Sequence, residues 1–166
     1  MSRLEQIWRH LWRGEREARR AFPAEALARI EAAVTASETR HRGELRVVIQ
    51  GGIGWTALRG VADSRSLALM HFAQQGVWDT EENSGVLIYL LMAEHRLEII
   101  ADRGIHRCLP QADWDAIAQS ATRRFAAGEY LDGLLAAQQA IGALLAAHFP
   151  AHVGNQDELP NAPLRL

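Results

Sequence analysis

The residues best equipped for chemistry lie between Trp78 and Gly104. Asp79-Thr80-Glu81-Glu82-Asn83-Ser84-Gly85 gathers three carboxylates, two hydroxyls and an amide in one short stretch. Carboxylates with an Asn carbonyl are the oxygen ligands that calcium and magnesium take. Crowded carboxylates also shift one another's pKa, which suits general acid and base work. A solvated loop whose Asp and Asn cap turns accounts for the same residues. The stretch is not an EF-hand loop, because its glycine falls one place late and the distal Glu is missing. Farther along, Asp102-Arg103-Gly104 adds a carboxylate and a guanidinium. Arg103 can clamp an anion, or it can pair with Asp79 or Glu82.

Position in the fold decides whether these groups meet. Val86 to Met92 is apolar without alternation, the pattern of a strand covered on both faces at the centre of a sheet. Arg96 to Ala101 forms a second strand after a short polar break, and Glu44 to Gln50 forms one before it. Val61 to Gln75 has helical spacing and stops at Gly76. Strand, helix and strand make a βαβ unit, so the first two strands are parallel with a right-handed crossover. The short turn makes the third antiparallel to the second. The start of the second strand and the end of the third then share one edge of a mixed sheet. Asp79, Glu81, Glu82 and Asn83 meet Asp102 and Arg103 there, with Asp113 at the start of the next helix. Gly51 to Gly54 falls at the opposite edge.

The remaining elements are helices. Leu4 to Ala21 carries an apolar face of Leu4, Ile7, Trp8, Leu11 and Trp12 among many arginines, and Phe22-Pro23 ends it. A second helix shows Leu27, Ile30 and Val34. A later one opens at Leu109-Pro110 with Trp114, Ile117, Ala121 and Phe125 inward, and the last carries Leu131, Leu134, Leu135, Ile141 and Leu145 up to Pro150. The division is an N-terminal amphipathic helix (1–21), a central domain (22–150) and an extended or disordered tail (151–166).

Composition excludes several classes. With 166 residues, 48% of them hydrophobic, and a net charge of −2, the chain is a single globular domain and not a nucleic-acid binder. Every Lys or Arg position is arginine, which a GC-rich genome explains. The one cysteine, Cys108, excludes an internal disulfide. No apolar run approaches the ~20 residues of a membrane span, and no secretory signal opens the sequence. A cytoplasmic location follows, with the basic helix able to meet an anionic membrane at its inner face or to pack on the domain or a protein partner. Gly-x-Ser-x-Gly, P-loop and His-Glu-x-x-His motifs are all absent. Trp114 stands where a cysteine phosphatase would place arginine after Cys108. Asp113 and Asp115 sit in the first turn of a helix, where the dipole favours acid.

Three ordered motifs resemble one family. Asn83-Ser84-Gly85-Val86-Leu87-Ile88 is similar to the Asn-Asn-Gly-Val-Leu-Leu run that opens the central strand of the TPM domain family. Gly104-Ile105 with Leu109-Pro110 and Asp113 matches its next motif, and Phe125, Gly128, Tyr130, Gly133 and Leu134 match its closing one. The resemblance runs from Phe22 to Phe149. It implies an α/β/α sandwich around a small mixed sheet, here with an extra N-terminal helix. Family members include a thylakoid-lumen acid phosphatase, proteins that bind divalent cations, and accessory subunits of membrane assemblies. The resemblance therefore implies an accessory or binding module that holds calcium or magnesium, or alternatively a metal-assisted acid phosphatase. The resemblance carries over Asp79, Asn83, Asp102 and Asp132; with Glu82 from the acidic edge these are the metal candidates, and Asp79 and Asp102 with Arg103 of that edge are the catalytic candidates. The chain departs from the family in having Asp102-Arg103 for Gly-Tyr, Ser84 for the second Asn, and neither signal peptide nor anchor.

Overall fold

A computed structural model of the chain describes residues 13–53, 63–152 and 157–166. Three strands form where the apolar runs predict them: β1 (Glu44–Gln50), β2 (Gly85–Leu91) and β3 (Arg96–Ala101). The helices are α1 (Gly14–Ala21), α2 (Ala24–Glu38), α3 (Ser64–Gln74), α4 (Arg103–His106), α5 (Gln111–Ala126) and α6 (Tyr130–His148). A single 3-10 turn, Met92–Glu94, links β2 to β3. The short α4 has no counterpart in the apolar spacing. It is one turn capped by the side chain of Asp102.

The sheet runs β3-β2-β1-β4, where β4 is Leu164–Arg165. β1 and β2 are parallel, with Val47 beside Ile88, and β2 and β3 are antiparallel, with Ile88 beside Ile99. Every residue of β2 is buried. Val86, Ile88 and Leu90 enter one core with α1, α2, α5 and α6, whereas Leu87, Tyr89 and Leu91 enter a second core with α3. The result is an α/β/α arrangement around a mixed sheet.

The tail departs from its expected role as a loose end. Leu164 and Arg165 pair with Val48 and Ile49 of β1, and Leu159 is buried in the second core. Extended backbone is what two prolines, Pro160 and Pro163, favour. Free main-chain groups along the β1 edge give it a ladder to join. α1 packs on the domain: Gly14 meets Gly51, and Ala18 lies in the larger core. Leu4, Ile7, Trp8, Leu11 and Trp12 lie outside the described residues. Among the described helices α6 alone matches a membrane span in length and composition. Its inward residues, from Gly133 through Leu145, are spent on the domain core.

One glycine fixes the join between the β2 and β3 ends. A Cβ on Gly104 would stand 2.5 Å from the Asn83 carbonyl oxygen and 2.6 Å from that of Glu82. Both are backbone atoms and cannot swing aside. Gly104→Ala is therefore expected to lower unfolding stability by about 1–3 kcal/mol, the usual cost of overpacking, measurable by urea denaturation. An unchanged midpoint would show that this approach is not fixed.

Candidate functional site

The shared edge forms as the topology requires. The Asp102 N–H donates to the Gly85 carbonyl at 2.9 Å, and the Gly104 N–H donates to Asn83 at 3.1 Å. Asn83 holds a left-handed backbone, φ 54°, which Asn tolerates better than most residues. Arg103 Nε donates to Asn83 Oδ1 at 2.8 Å, and the Arg103 N–H donates to Asp102 Oδ1 at 2.7 Å. The guanidinium thus meets an amide and not Asp79 or Glu82. Asp102 Oδ2 is buried without a hydrogen bond.

The other candidates are dispersed. Glu82 pairs with Arg42 and, at 3.3 Å, with His152. Burial opposes ionisation of Glu82, but the hydrogen bonds from Arg42 and His152 and the Arg42 charge outweigh it and lower its pKa. Asp79 is exposed in the turn after α3, with its N–H on Gly76. Asp113 sits in the first turn of α5. Asp132 lies one turn into α6, near Tyr130. The Tyr130 hydroxyl donates to Glu17 at 2.6 Å and meets His95 Nε2 at 3.0 Å, and His95 caps the β2–β3 turn. That turn is at the far end of the strands, so Asp132 stands apart from Asn83 and Asp102. The Gly51 carbonyl, bonded by the Ala93 N–H at 3.0 Å, lies at that far end too, as the topology predicts.

A different acidic group does converge on the near edge. Glu38, Glu44 and Asp157 each offer an oxygen, and these oxygens lie within 4.8 Å of one another. Among the described residues it is the one such group of three or more His, Cys, Asp or Glu side chains. Oxygens on opposite sides of a calcium ion stand about 4.6–5.2 Å apart and adjacent ones closer, so all three fit within one coordination shell. They line a cleft of about 360 Å³ together with Thr35, Thr39, His152 and Asn161.

Each carboxylate has a separate anchor. Glu38, at the end of α2, accepts the Leu45 N–H at 2.8 Å through Oε1. Its Oε2 is buried with no hydrogen bond of good geometry, though the Asn161 amide lies close enough to the carboxyl to favour its charge. Glu44 Oε2 accepts the N–H groups of Glu158 and Leu159 at 3.1 and 3.2 Å. Asp157 Oδ2 accepts from the Asn161 amide at 2.9 Å. Burial pushes the Glu38 carboxyl up to about 8, despite the Leu45 N–H, and the charges of Glu44 and Asp157 add to the rise. Burial also raises Glu44, against the two tail N–H groups that favour its charge. A desolvated oxygen without a well-formed hydrogen bond, beside two further carboxylates, suits a hard cation, and the donor set is all oxygen.

Sequence spacing alone did not single out these three. One signal was present. Glu44 and Arg46 are two apart in a strand whose only other polar residue is Gln50 at its end, so both charges project to one face, where a charge needs a partner. That partner is the tail. Nothing in its composition marks Asp157.

The TPM domain model matches residues 18–144. The NMR structure of the BA42 protein from the psychrophilic bacterium Bizionia argentinensis superposes with a TM-score of 0.76 at 26% identity, covering 86% of this chain and 94% of that one. The solution structure of the N-terminal domain of a P. gingivalis protein shares the fold, with a TM-score of 0.58 at 23% identity over 73% of this chain and 76% of that one. No curated protein matches the chain.

The position of Glu38 has a pH signature. Its carboxyl stands at about 8 in the folded chain against 4.5 ordinarily. Between those values the folded state keeps a proton that the unfolded state has lost. Stability therefore falls as pH rises through that window, by up to ~1.4 kcal/mol per pH unit. Glu38→Gln keeps an acceptor for the Leu45 N–H and cannot ionise. Urea unfolding of both proteins across the window should show the wild type losing stability relative to the variant as pH rises, then levelling off. A pH-independent difference would refute the buried-acid assignment.

Proposed function

The chain belongs to the TPM domain family, and we propose that it acts as a binding module that takes a calcium-class or magnesium-class cation between Glu38, Glu44 and Asp157. The observation that carries this reading is the convergence of three carboxylates, one of which, Glu38, keeps a buried oxygen without a well-formed hydrogen bond. A cation held there supplies charge neutralisation and, toward a phosphoryl substrate, Lewis acidity. This chain's residues do the positioning. Leu45 aims Glu38, the tail N–H groups aim Glu44, and Asn161 aims Asp157. Asp79, Glu82, Asn83 and Asp102 are the competing candidates on the same edge but do not converge on one point, and Asp132 would have to act elsewhere. The module role, rather than catalysis, is supported by the lack of any nucleophile motif in the sequence.

Metal-assisted phosphomonoester hydrolysis is the second reading. It is favoured by Arg103, an exposed guanidinium oriented by Asn83 on the same sheet edge as the acidic cleft. In that reading Arg103 holds the phosphate, as a planar guanidinium does well.

Calcium or magnesium is expected to raise the melting temperature, since a ligand that binds only the folded state at 100 times its Kd adds ~2.7 kcal/mol. Asp157→Asn should abolish the rise, and Asp79→Ala and Asp102→Ala should leave it. The reverse pattern would move the ion to the loop set, and no rise at millimolar metal would remove the cation altogether. For the second reading, hydrolysis of an aryl phosphate should fall ~10²-fold in Arg103→Ala. A rate unaffected by that substitution rules hydrolysis at this edge out.

A further inference from the structure

The last ten residues are held chiefly by their main chain. Glu44 is 1% exposed and Arg46 7% exposed, so both charges are almost fully out of water. Burial on that scale is costly unless the charge is hydrogen-bonded. Glu44 accepts the N–H groups of Glu158 and Leu159. Arg46 donates to the carbonyls of Pro160, at 3.0 Å, and Ala162, with Gln75 as a further acceptor. Beyond them Leu166 exchanges hydrogen bonds with Ile49 and Gly51, at 2.9 and 3.0 Å. Leu159 is the one fully buried apolar anchor along this stretch.

At the front of the segment the balance is unfavourable. Asp157 brings a third carboxylate beside Glu38 and Glu44. Like charges so close oppose one another, so docking works against the side chain that leads it. A cation in the cleft reverses the sign of that interaction, because the body supplies two ligands and the tail one. Glu38, nine-tenths buried as a residue, lies on the body side of this gap with its Oε2 lacking a well-formed hydrogen bond and the strap's Asn161 amide close by.

We propose that residues 157–166 are a strap whose docking on the β1 edge is thermodynamically linked to cation occupancy of the cleft formed by Glu38, Glu44 and Asp157. The linkage rests on the cation reading above and adds to it a moving part. It is reciprocal: the ion holds the strap, and the docked strap raises affinity for the ion. Glu44 sits at the junction, since it faces the cleft and also clamps the strap amides. A surface for a partner at the β1 edge would be exposed when the cleft empties.

Hydrogen–deuterium exchange on the full chain tests this, with calcium or magnesium against chelator, alongside calorimetric titration of the same metal. The amides of Leu159, Leu166 and Gly51 depend on the docked strap. Metal should slow their exchange by about tenfold or more, within the usual range of coupling, and leave the β2 amides unchanged. Asp157→Asn should remove the slowing. Arg46→Met, which loosens the strap without touching a carboxylate, should weaken metal binding. If metal binds and strap exchange does not change, the linkage is wrong and the cation reading stands. A uniform slowing across the sheet reports global stabilisation and also overturns the linkage. If no metal binds, both fall together.

Discussion

β2 must be buried on both faces, and most of the architecture follows from that requirement. None of its seven residues is polar enough to face water except Tyr89, whose hydroxyl donates to Gln50 at 2.7 Å. Burying each Leu, Ile or Val side chain gains ~1.5–3 kcal/mol, so no arrangement that leaves one face open competes. A strand of this kind needs a strand on each side and a helical layer above and below. β1 and β3 supply the first, and the helices supply the second from opposite sides. Once β2 is central, the loop before it and the turn after β3 have no choice but to meet. Gly85, Asp102 and Gly104 record that meeting in their backbone bonds.

Much of this could be seen in the sequence because it rests on local periodicity. The three long strands, the stop at Gly76 with φ 67°, and the parallel and antiparallel pairing all follow from apolar spacing and loop length. The near edge of the sheet was also deducible, since topology alone carries Asn83 to Asp102. The pairing of carboxylates was not. Asp79, Glu81 and Glu82 catch the eye because they lie close in sequence, yet neighbouring side chains on a turn diverge. Glu38 and Glu44 lie on either side of the α2–β1 connection, whereas Asp157 is distant in sequence, and the three converge only after the tail has docked. β4 was hidden for a related reason. Two residues give no period, and their pairing depends on an edge that another part of the chain creates.

The two ends of the sheet differ in electrostatic character. At the β2–β3 turn, Glu17, His95 and Tyr130 satisfy one another and bind α1 to α6. At the other end Glu38 and Glu44 are buried with less compensation, and burial raises both carboxyls. Such an arrangement costs stability that simple packing would not. Strongly perturbed carboxylates cluster at functional sites, and together with their convergence this makes the cleft, not the acidic loop, the centre of the functional reading.

The β3 border of the sheet has a consequence for how the molecule behaves when concentrated. In the β2–β3 register the Ile99 carbonyl points away from β2, and Arg65 occupies it with a 2.7 Å hydrogen bond. Next to it Glu98 turns its carboxylate inward and is held by Ser64 and Arg96. An occupied carbonyl and an inward charge are the features that stop one molecule from continuing another's sheet. β1, by contrast, is guarded by two paired residues and a stretch of clamped backbone. Among the described residues the β1 side is thus guarded by the C-terminal segment, and a chain that loses its last residues exposes that edge to sheet extension.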